Sequence, residues 1–140
     1  MPSAVFYLID KPRYRENPLR VVCVLARRAF EARQPLLILA RDDAQAEAID
    51  QLLWEMEGDA FIPHQIAGDD DDDITAVLIV PPASSTPDRP LVINLRDECA
   101  PGSWERVLEV VPAEVDARAG SRQRWTEYKS RGIELVKHDM

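Results

Sequence analysis

The sequence predicts a Rossmann-like, three-layer α/β domain, in which helices cover both faces of a mostly parallel central sheet. The first half of the chain alternates short, continuous apolar runs with longer segments of helical periodicity. Continuous apolar runs are typical of parallel strands, because such strands are buried on both faces. A length of 140 residues, of which 46% are hydrophobic and 30% charged, fits one domain over 1–140 with a single core.

The predicted elements of the first half are a strand at 5–9, a helix at 17–33, a strand at 36–40 and a helix at 42–54. Asn17 followed by Pro18 is typical of a helix start, because proline at the first helical position loses no hydrogen bond. Asp42 with Gln45 three residues later resembles a capping box. A strand–helix–strand–helix order favours parallel pairing with right-handed crossovers.

The predicted elements of the second half are strands at 76–80, 91–95 and 107–111, helices at 103–106 and 112–131, and an edge strand at 133–136. The intervening stretch 81–90 is rich in Pro and Ser, which predicts a loop. Gly132 follows the last helix, where glycine commonly caps a C-terminus. These elements complete the sheet and place one long helix near the end of the chain.

Five consecutive aspartates at 69–73 form a low-complexity patch. Such a run could hold calcium or magnesium, but it lacks the alternating ligand spacing and terminal glutamate of an EF-hand loop. A flexible, solvated acidic loop over about 68–74 is the favoured interpretation, and we expect no metal site.

The charge of the chain is negative overall and unevenly distributed. A formal net charge of −8 argues against nucleic-acid binding by the whole surface, because phosphate neutralisation needs concentrated Lys and Arg. Residues 117–131 nevertheless carry a local charge of +4, which leaves −12 on the remainder. An acidic partner could dock at this segment, and any contact with DNA is expected to be mainly indirect.

Several features bear on the compartment of the protein. No apolar run approaches the roughly 20 residues that a membrane span needs, and the N-terminus lacks a signal-peptide pattern. Cys23 and Cys99 are far apart and have no companions at metal-ligand spacing. We expect a cytoplasmic protein with two free structural thiols.

The residues that carry catalysis or nucleotide binding in α/β enzymes are not visible in this sequence. The turn after the first strand, 10–14, contains no glycine, and Pro12 removes an amide donor that a phosphate would need. His64 could act as a general base, but a turn histidine bonded to the backbone is the commoner outcome. The sequence predicts no catalytic residue and no cofactor, and leaves a nucleotide-binding enzyme or sensor as the alternative function.

Two aromatic residues flank the predicted break after the second helix. Trp54 ends that helix, and Phe61-Ile62-Pro63 follows as an edge strand or turn. Aromatics at such positions are typical interface anchors. The pattern alone leaves two alternatives open: Trp54 and Phe61 bind a partner, or they close the end of the monomer core.

Helical geometry divides the last helix into two neighbouring sectors. The sector expected to face the sheet holds Ala117, Gly120, Ser121, Arg124 and Tyr128. The partly exposed sector holds Arg118, Arg122, Trp125 and Lys129. Guanidinium groups beside an indole and the apolar Val111 could bind the carboxylate and the apolar side chain of a chain end. A solvated basic helix face is the alternative.

Short motifs occur in order along nearly the whole chain. They are Phe6-Tyr7-Leu8-Ile9-Asp10, Leu53-Trp54, Phe61-Ile62-Pro63-His64, Ala67-Gly68, Ile93-Asn94-Leu95-Arg96, Val111-Pro112 and Arg122-x-x-Trp125-x-x-Tyr128-Lys129-x-x-Gly132. Together they resemble the chi subunit family of the bacterial DNA polymerase III holoenzyme, a clamp-loader accessory subunit. The resemblance is carried by the order of these motifs along the chain.

The resemblance implies a non-catalytic adaptor with a Rossmann-like fold. In that family one surface binds the psi subunit and another binds the acidic C-terminal tail of single-stranded DNA-binding protein. A monomer or a heterodimer with psi is therefore expected, with no membrane partner. The residues implied in psi binding are Trp54, Phe61, Ile62 and Pro63. The residues implied in tail binding are Val111, Arg118, Arg122, Trp125 and Thr126.

Three positions of the implied tail-binding set depart from the well-known members of that family. Arg118 stands where Lys is usual and keeps the charge. Trp125 stands where Tyr is usual and keeps the aromatic wall without its hydroxyl. Thr126 stands where Lys is usual, so the helix loses one cation.

Overall fold

The computed structural model describes residues 2–55, 62–68 and 74–140. Its strands are β1 (Ser3–Leu8), β2 (Leu36–Leu39), β3 (His64–Ile66), β4 (Val77–Val80), β5 (Leu91–Asn94), β6 (Arg106–Val111) and β7 (Glu134–Asp139). Its helices are α1 (Pro12–Glu16), α2 (Leu19–Glu31), α3 (Asp43–Trp54) and α4 (Ala119–Ser130), with a 3-10 turn at Val115–Arg118 before α4.

The strands form one sheet in the order β3-β4-β2-β5-β6-β1-β7. Every pairing between neighbours is parallel, so the connections must cross the faces of the sheet. Helices α1, α2 and α3 pack on one face, and α4 packs on the other. The predicted three-layer, Rossmann-like fold is confirmed, and the sheet is parallel throughout the described residues.

The side chains of β2 explain why the strands are continuous apolar runs. Leu36 and Ile38 belong to the core layer that includes α2 and α3. Leu37 and Leu39 belong to the layer that includes Tyr128 of α4. Successive side chains of a strand point to opposite faces, so a strand covered on both sides must be apolar at every position.

Two helix ends are fixed by the local sequence, as predicted. Asp42 Oδ1 accepts a hydrogen bond of 2.7 Å from the Gln45 amide, and Gln45 Oε1 accepts one of 2.7 Å from the Arg41 amide. Gly132 has a φ of +79°, and its amide donates to the Lys129 carbonyl. A positive φ at this position favours glycine, which has no Cβ to clash.

The prediction of a short helix at 103–106 is wrong. The Ser103 amide donates to Asp88 Oδ2 at 3.0 Å, and the Glu105 and Arg106 amides both donate to the Pro90 carbonyl. These partners lie outside the segment, so residues 103–105 make no helical turn and β6 begins at Arg106.

The last helix also begins later than predicted. Residues 112–114 are not helical, and α4 proper starts at Ala119. The Pro112 carbonyl is bonded by the Arg118 side chain, whose Nε donates to it at 2.8 Å. Residues 112–114, which the sequence suggests as the first turn of the helix, therefore form a bend that precedes the 3-10 turn and α4.

Three elements differ from the predictions in kind or in extent. The first loop contains the short helix α1, in which the Lys11 carbonyl accepts from the Tyr14 and Arg15 amides and the Tyr14 ring is buried. Strand β3 is an edge strand that starts one residue after Pro63. Strand β7 is the predicted opposite edge, but it runs to Asp139 rather than ending at 136.

Cys23 and Cys99 are free and buried, as predicted. Burial raises the pKa of each thiol to about 12. Both thiols therefore stay protonated at neutral pH and behave as small core side chains.

Two features of the sequence, Phe61 and the aspartate run at 69–73, lie outside the described residues. Within the described ranges, no helix combines the length and apolar character that a membrane span requires. In the same part of the chain, no group of three or more His, Cys, Asp or Glu side chains is placed to hold a metal ion.

Candidate functional site

The five residues implied in tail binding surround one open cavity of about 390 Å³ between α4 and the sheet. We call this cavity the α4 pocket. Its lining residues are Phe6, Leu8, Val111, Arg118, Ser121, Arg122, Trp125, Thr126 and Lys137. The fold thus brings all five together, and their role stays a prediction.

The floor of the α4 pocket is apolar. Leu8 ends β1 and is the register partner of Val111, which ends β6. Phe6 lies one pleat earlier, and its ring meets the Trp125 indole edge-on, with centroids 5.0 Å apart and planes at 71°. An apolar floor and an aromatic wall offer a site for an apolar side chain.

The rim of the α4 pocket is cationic. Arg118 and Arg122 come from the 3-10 turn and α4, and Lys137 comes from β7. None of the lining residues carries a carboxylate. Arg118 is anchored through Nε, whereas the Arg122 side chain is exposed. The pocket therefore suits an anionic ligand.

A buried charge network fixes α4 to the sheet beside the pocket. Glu109 of β6 is fully buried, and its Oε1 accepts from Arg124 Nε at 2.8 Å. Its Oε2 accepts from Asn94 Nδ2 and from the Tyr128 hydroxyl, each at 2.7 Å. The Tyr128 oxygen in turn accepts from the Ala100 amide at 3.0 Å.

The network sets the ionisation of two of its members. Burial raises the pKa of Glu109, while the Arg124 guanidinium and the hydrogen bonds from Asn94 and Tyr128 oppose that rise. Burial and the neighbouring Glu109 carboxylate raise the pKa of Tyr128. The tyrosine therefore remains a neutral donor to the carboxylate across the physiological range.

The sequence predicted some of the buried residues around the pocket, carried an unused signal for Glu109, and gave no indication of Lys137. Ser121 and Tyr128 are buried, as the sector analysis predicts, and Arg124 of the same sector turns to the sheet. Glu109 interrupts an apolar strand, and a carboxylate at such a place requires a buried partner. Lys137 was missed because the predicted last strand ends one residue before it.

The aromatic surface lies at the other edge of the sheet. Trp54 is 57% exposed, and its ring meets His64 of β3 edge-on with centroids 5.0 Å apart. Ile62 is buried in the core, whereas Pro63 is partly exposed. Because it is mostly exposed, the Trp54 side chain does not close the end of the monomer core. We call Trp54, Pro63 and the adjoining β3 the Trp54 edge.

His64 is held by two oxygen atoms. Its Nδ1 lies 2.6 Å from the Ile62 carbonyl oxygen, and its Nε2 lies 3.3 Å from Asp50 Oδ1. The ring is buried, and it occupies the first position of β3 rather than a turn. The backbone contact predicted for this histidine is present, and the residue links the strand to α3.

Another cavity, of about 810 Å³, lies at the carboxyl ends of the central strands. Ligands of open α/β sheets commonly bind in such a crevice. Here Arg96 Nε and Nη2 donate to the Ala40 and Val80 carbonyls, and Arg124 is paired with Glu109. These guanidinium groups hold the protein's own strands and helix, which weakens the nucleotide-binding alternative.

Comparison with solved structures gives the fold alone. The C-terminal domain of the DEAD-box protein Dbp5 superposes with a TM-score of 0.68 over 99% of this chain and 90% of that chain, at 13% sequence identity. At this identity the likeness carries no statement about function.

Comparison of sequences gives the family. Residues 1–136 match the family model of the DNA polymerase III chi subunit, HolC. The chain is 34% identical to DNA polymerase III subunit chi of Pseudomonas aeruginosa, over 99% of this chain and 96% of the relative. It is 29% identical to the subunit of that name in Escherichia coli, over 96% of both chains. The chain therefore belongs to the DNA polymerase III chi subunit family.

Proposed function

We propose that this chain is a non-catalytic adaptor of the DNA polymerase III clamp loader. In this proposal it joins the psi subunit to the C-terminal tail of single-stranded DNA-binding protein during DNA replication. The observation that carries the proposal is the α4 pocket, where cations, an indole and an apolar floor surround one cavity. Family membership supports an accessory role in replication.

The α4 pocket matches the chemistry of an acidic chain end that finishes in an apolar residue. Arg118 and Arg122 can each bind a carboxylate bidentately, which a single ammonium group cannot do. Val111 and Trp125 provide the apolar surface that the terminal side chain would cover. The chain as a whole is acidic, so attraction of the acidic tail depends on this local basic region.

The Trp54 edge is the proposed psi-binding surface. A large, exposed indole beside a proline at an edge strand is a typical interface anchor. The Ile62 side chain is in the core, so a partner would meet Trp54 and Pro63 directly. Phe61 is proposed to belong to the same surface by resemblance.

The two proposed surfaces are far enough apart to be occupied together. The Trp54 edge includes β3, whereas the α4 pocket lies over β6, β1 and β7. Strands β3 and β1 are five positions apart in the sheet, which corresponds to roughly 24 Å at about 4.8 Å per strand. In this proposal both partners are bound at once, and the bridge operates in the cytoplasm at DNA under replication.

The test of the adaptor role is a retention experiment with Trp54→Ala. Immobilised single-stranded DNA-binding protein is expected to retain psi only when the wild-type chain is added. The variant should itself be retained but bring at least about tenfold less psi, because a hot-spot aromatic has been removed. Its free energy of unfolding should change by less than about 1 kcal/mol, since the side chain is mostly exposed.

A matched control is Val115→Ala, which removes another exposed apolar side chain far from the Trp54 edge. This variant should carry psi as the wild type does. Full psi recruitment by Trp54→Ala would contradict the assignment of the Trp54 edge.

A further inference from the structure

Lys137 lies on β7 and is not among the residues implied in tail binding. We propose that Lys137 supplies the cation that α4 lacks at Thr126 and contacts the acidic side chains that precede the terminal residue of the bound tail. The inference rests on the proposed function and adds a specificity-determining residue to it.

The register of the sheet places Lys137 in the α4 pocket. Strand β7 pairs with β1 in parallel, and Lys137 is the partner of Phe6. Register partners in neighbouring strands point to the same face, so Lys137 shares the α4 face with Phe6. Its Nζ lies 5.0 Å from the centroid of the Trp125 ring, a distance at which an ammonium group is attracted to an indole.

Lys137 and the arginines approach the pocket from different elements. Arg118 and Arg122 come from the helical side, and Lys137 comes from the edge strand. Thr126 is uncharged, and its hydroxyl donates to the Arg122 carbonyl at 3.1 Å. The cation missing from the helix is thus present in the same cavity, carried by the sheet.

The surroundings of Lys137 leave its charge available to a ligand. The side chain is exposed, and none of the ion pairs formed among the described residues includes it. Trp125 holds the ammonium group near the pocket without neutralising it.

The arginine guanidinium groups and the Lys137 ammonium group suit different carboxylates of the ligand. A planar guanidinium matches a single carboxylate in a fixed orientation, whereas an ammonium group is a point charge without that directional preference. The arginines suit the terminal carboxylate. Lys137 suits side-chain carboxylates upstream of it, which can approach in several orientations.

The test is a fluorescence anisotropy titration with a labelled peptide of the acidic tail, at fixed moderate salt. Lys137→Ala is expected to weaken binding about two- to tenfold. Lys129→Ala removes the same charge from an exposed position of α4 outside the pocket, and should change binding less than about twofold. Adding Thr126→Lys to Lys137→Ala should restore most of the lost affinity.

A second peptide separates this inference from the proposed function. When the acidic side chains of the peptide are replaced by their amides, the effect of Lys137→Ala should disappear while that of Arg122→Ala remains. If Lys137→Ala binds the acidic peptide as the wild type does and Arg122→Ala does not, the role of Lys137 is refuted and the proposed function stands. If the wild type fails to bind the acidic peptide at all, both are refuted.

Discussion

Replacing Arg124 with alanine is expected to lower the free energy of unfolding by about 3–5 kcal/mol, which is the usual cost of removing one partner of a buried ion pair. The Arg124 side chain is 13% exposed and that of Glu109 is fully buried, so solvent cannot replace the lost guanidinium. Urea denaturation monitored by circular dichroism measures the change.

A matched control for this variant is Arg27→Ala. Arg27 pairs with Glu31 on the surface of α2, with both side chains more than half exposed. Such a pair contributes at most about 1 kcal/mol. If Arg124→Ala and Arg27→Ala cost the same, the network does not anchor α4. Should Arg124→Ala fail to fold, the double variant Arg124→Met with Glu109→Gln should recover a folded protein, since no buried charge is left unpaired and the amide oxygen of the glutamine can still accept from the Tyr128 hydroxyl.

The cost of Arg124→Ala should also depend on pH. Burial raises the folded-state pKa of Glu109 above the ordinary value of 4.5, and loss of Arg124 removes an effect that opposes the rise. The folded variant then binds a proton more tightly than the unfolded chain does, so its stability falls as pH rises from 4.5 through the folded-state pKa. Relative to wild type, the variant should therefore lose less stability near pH 5 than near pH 7.

Replacing Arg122 with alanine is expected to weaken binding of the acidic tail peptide by at least about tenfold, because one charge-assisted contact to a carboxylate is lost. The logarithm of the affinity should also fall less steeply with the logarithm of salt concentration, since one cation fewer takes part. Isothermal titration calorimetry at several salt concentrations measures both effects.

Arg131→Ala is the matched control for Arg122→Ala. It removes the same charged group from an exposed position outside the pocket, where Arg131 pairs with Glu127. The two variants should unfold at similar denaturant concentrations, because both side chains are exposed. Equal peptide affinity of the two variants would show that binding depends on net charge rather than on the α4 pocket.

Local sequence determines much of the fold of this chain. Asp42 and Gln45 specify the start of α3, and Gly132 specifies the end of α4. The apolar run of β2 reveals a strand covered on both faces. Such features need only neighbours along the chain, and for this reason they could be predicted.

The features that sequence did not predict depend on contacts between distant segments. Residues 103–105 are not helical because Asp88 and Pro90 supply hydrogen-bond partners for the Ser103 and Glu105 amides. The order of the strands likewise results from pairings across the sheet, as in β1 between β6 and β7.

The α4 pocket shows the same division between local and distant contacts. Helical spacing brings Arg122 and Trp125 to one side of the last helix, as the sequence predicts, and Arg118 joins them from the 3-10 turn that precedes it. Lys137 joins them only because β7 adds to the edge of β1, a pairing that helical spacing cannot reveal.

The central claim is that the α4 pocket receives the end of an acidic chain, and the most direct test is a titration of the wild-type chain with two tail peptides. The peptides share one sequence and differ only at the C-terminus, which is a free carboxylate in one and an amide in the other. We expect saturable binding of the free carboxylate and at least about tenfold weaker binding of the amide. Equal binding of the two peptides, or no binding of either, would contradict it.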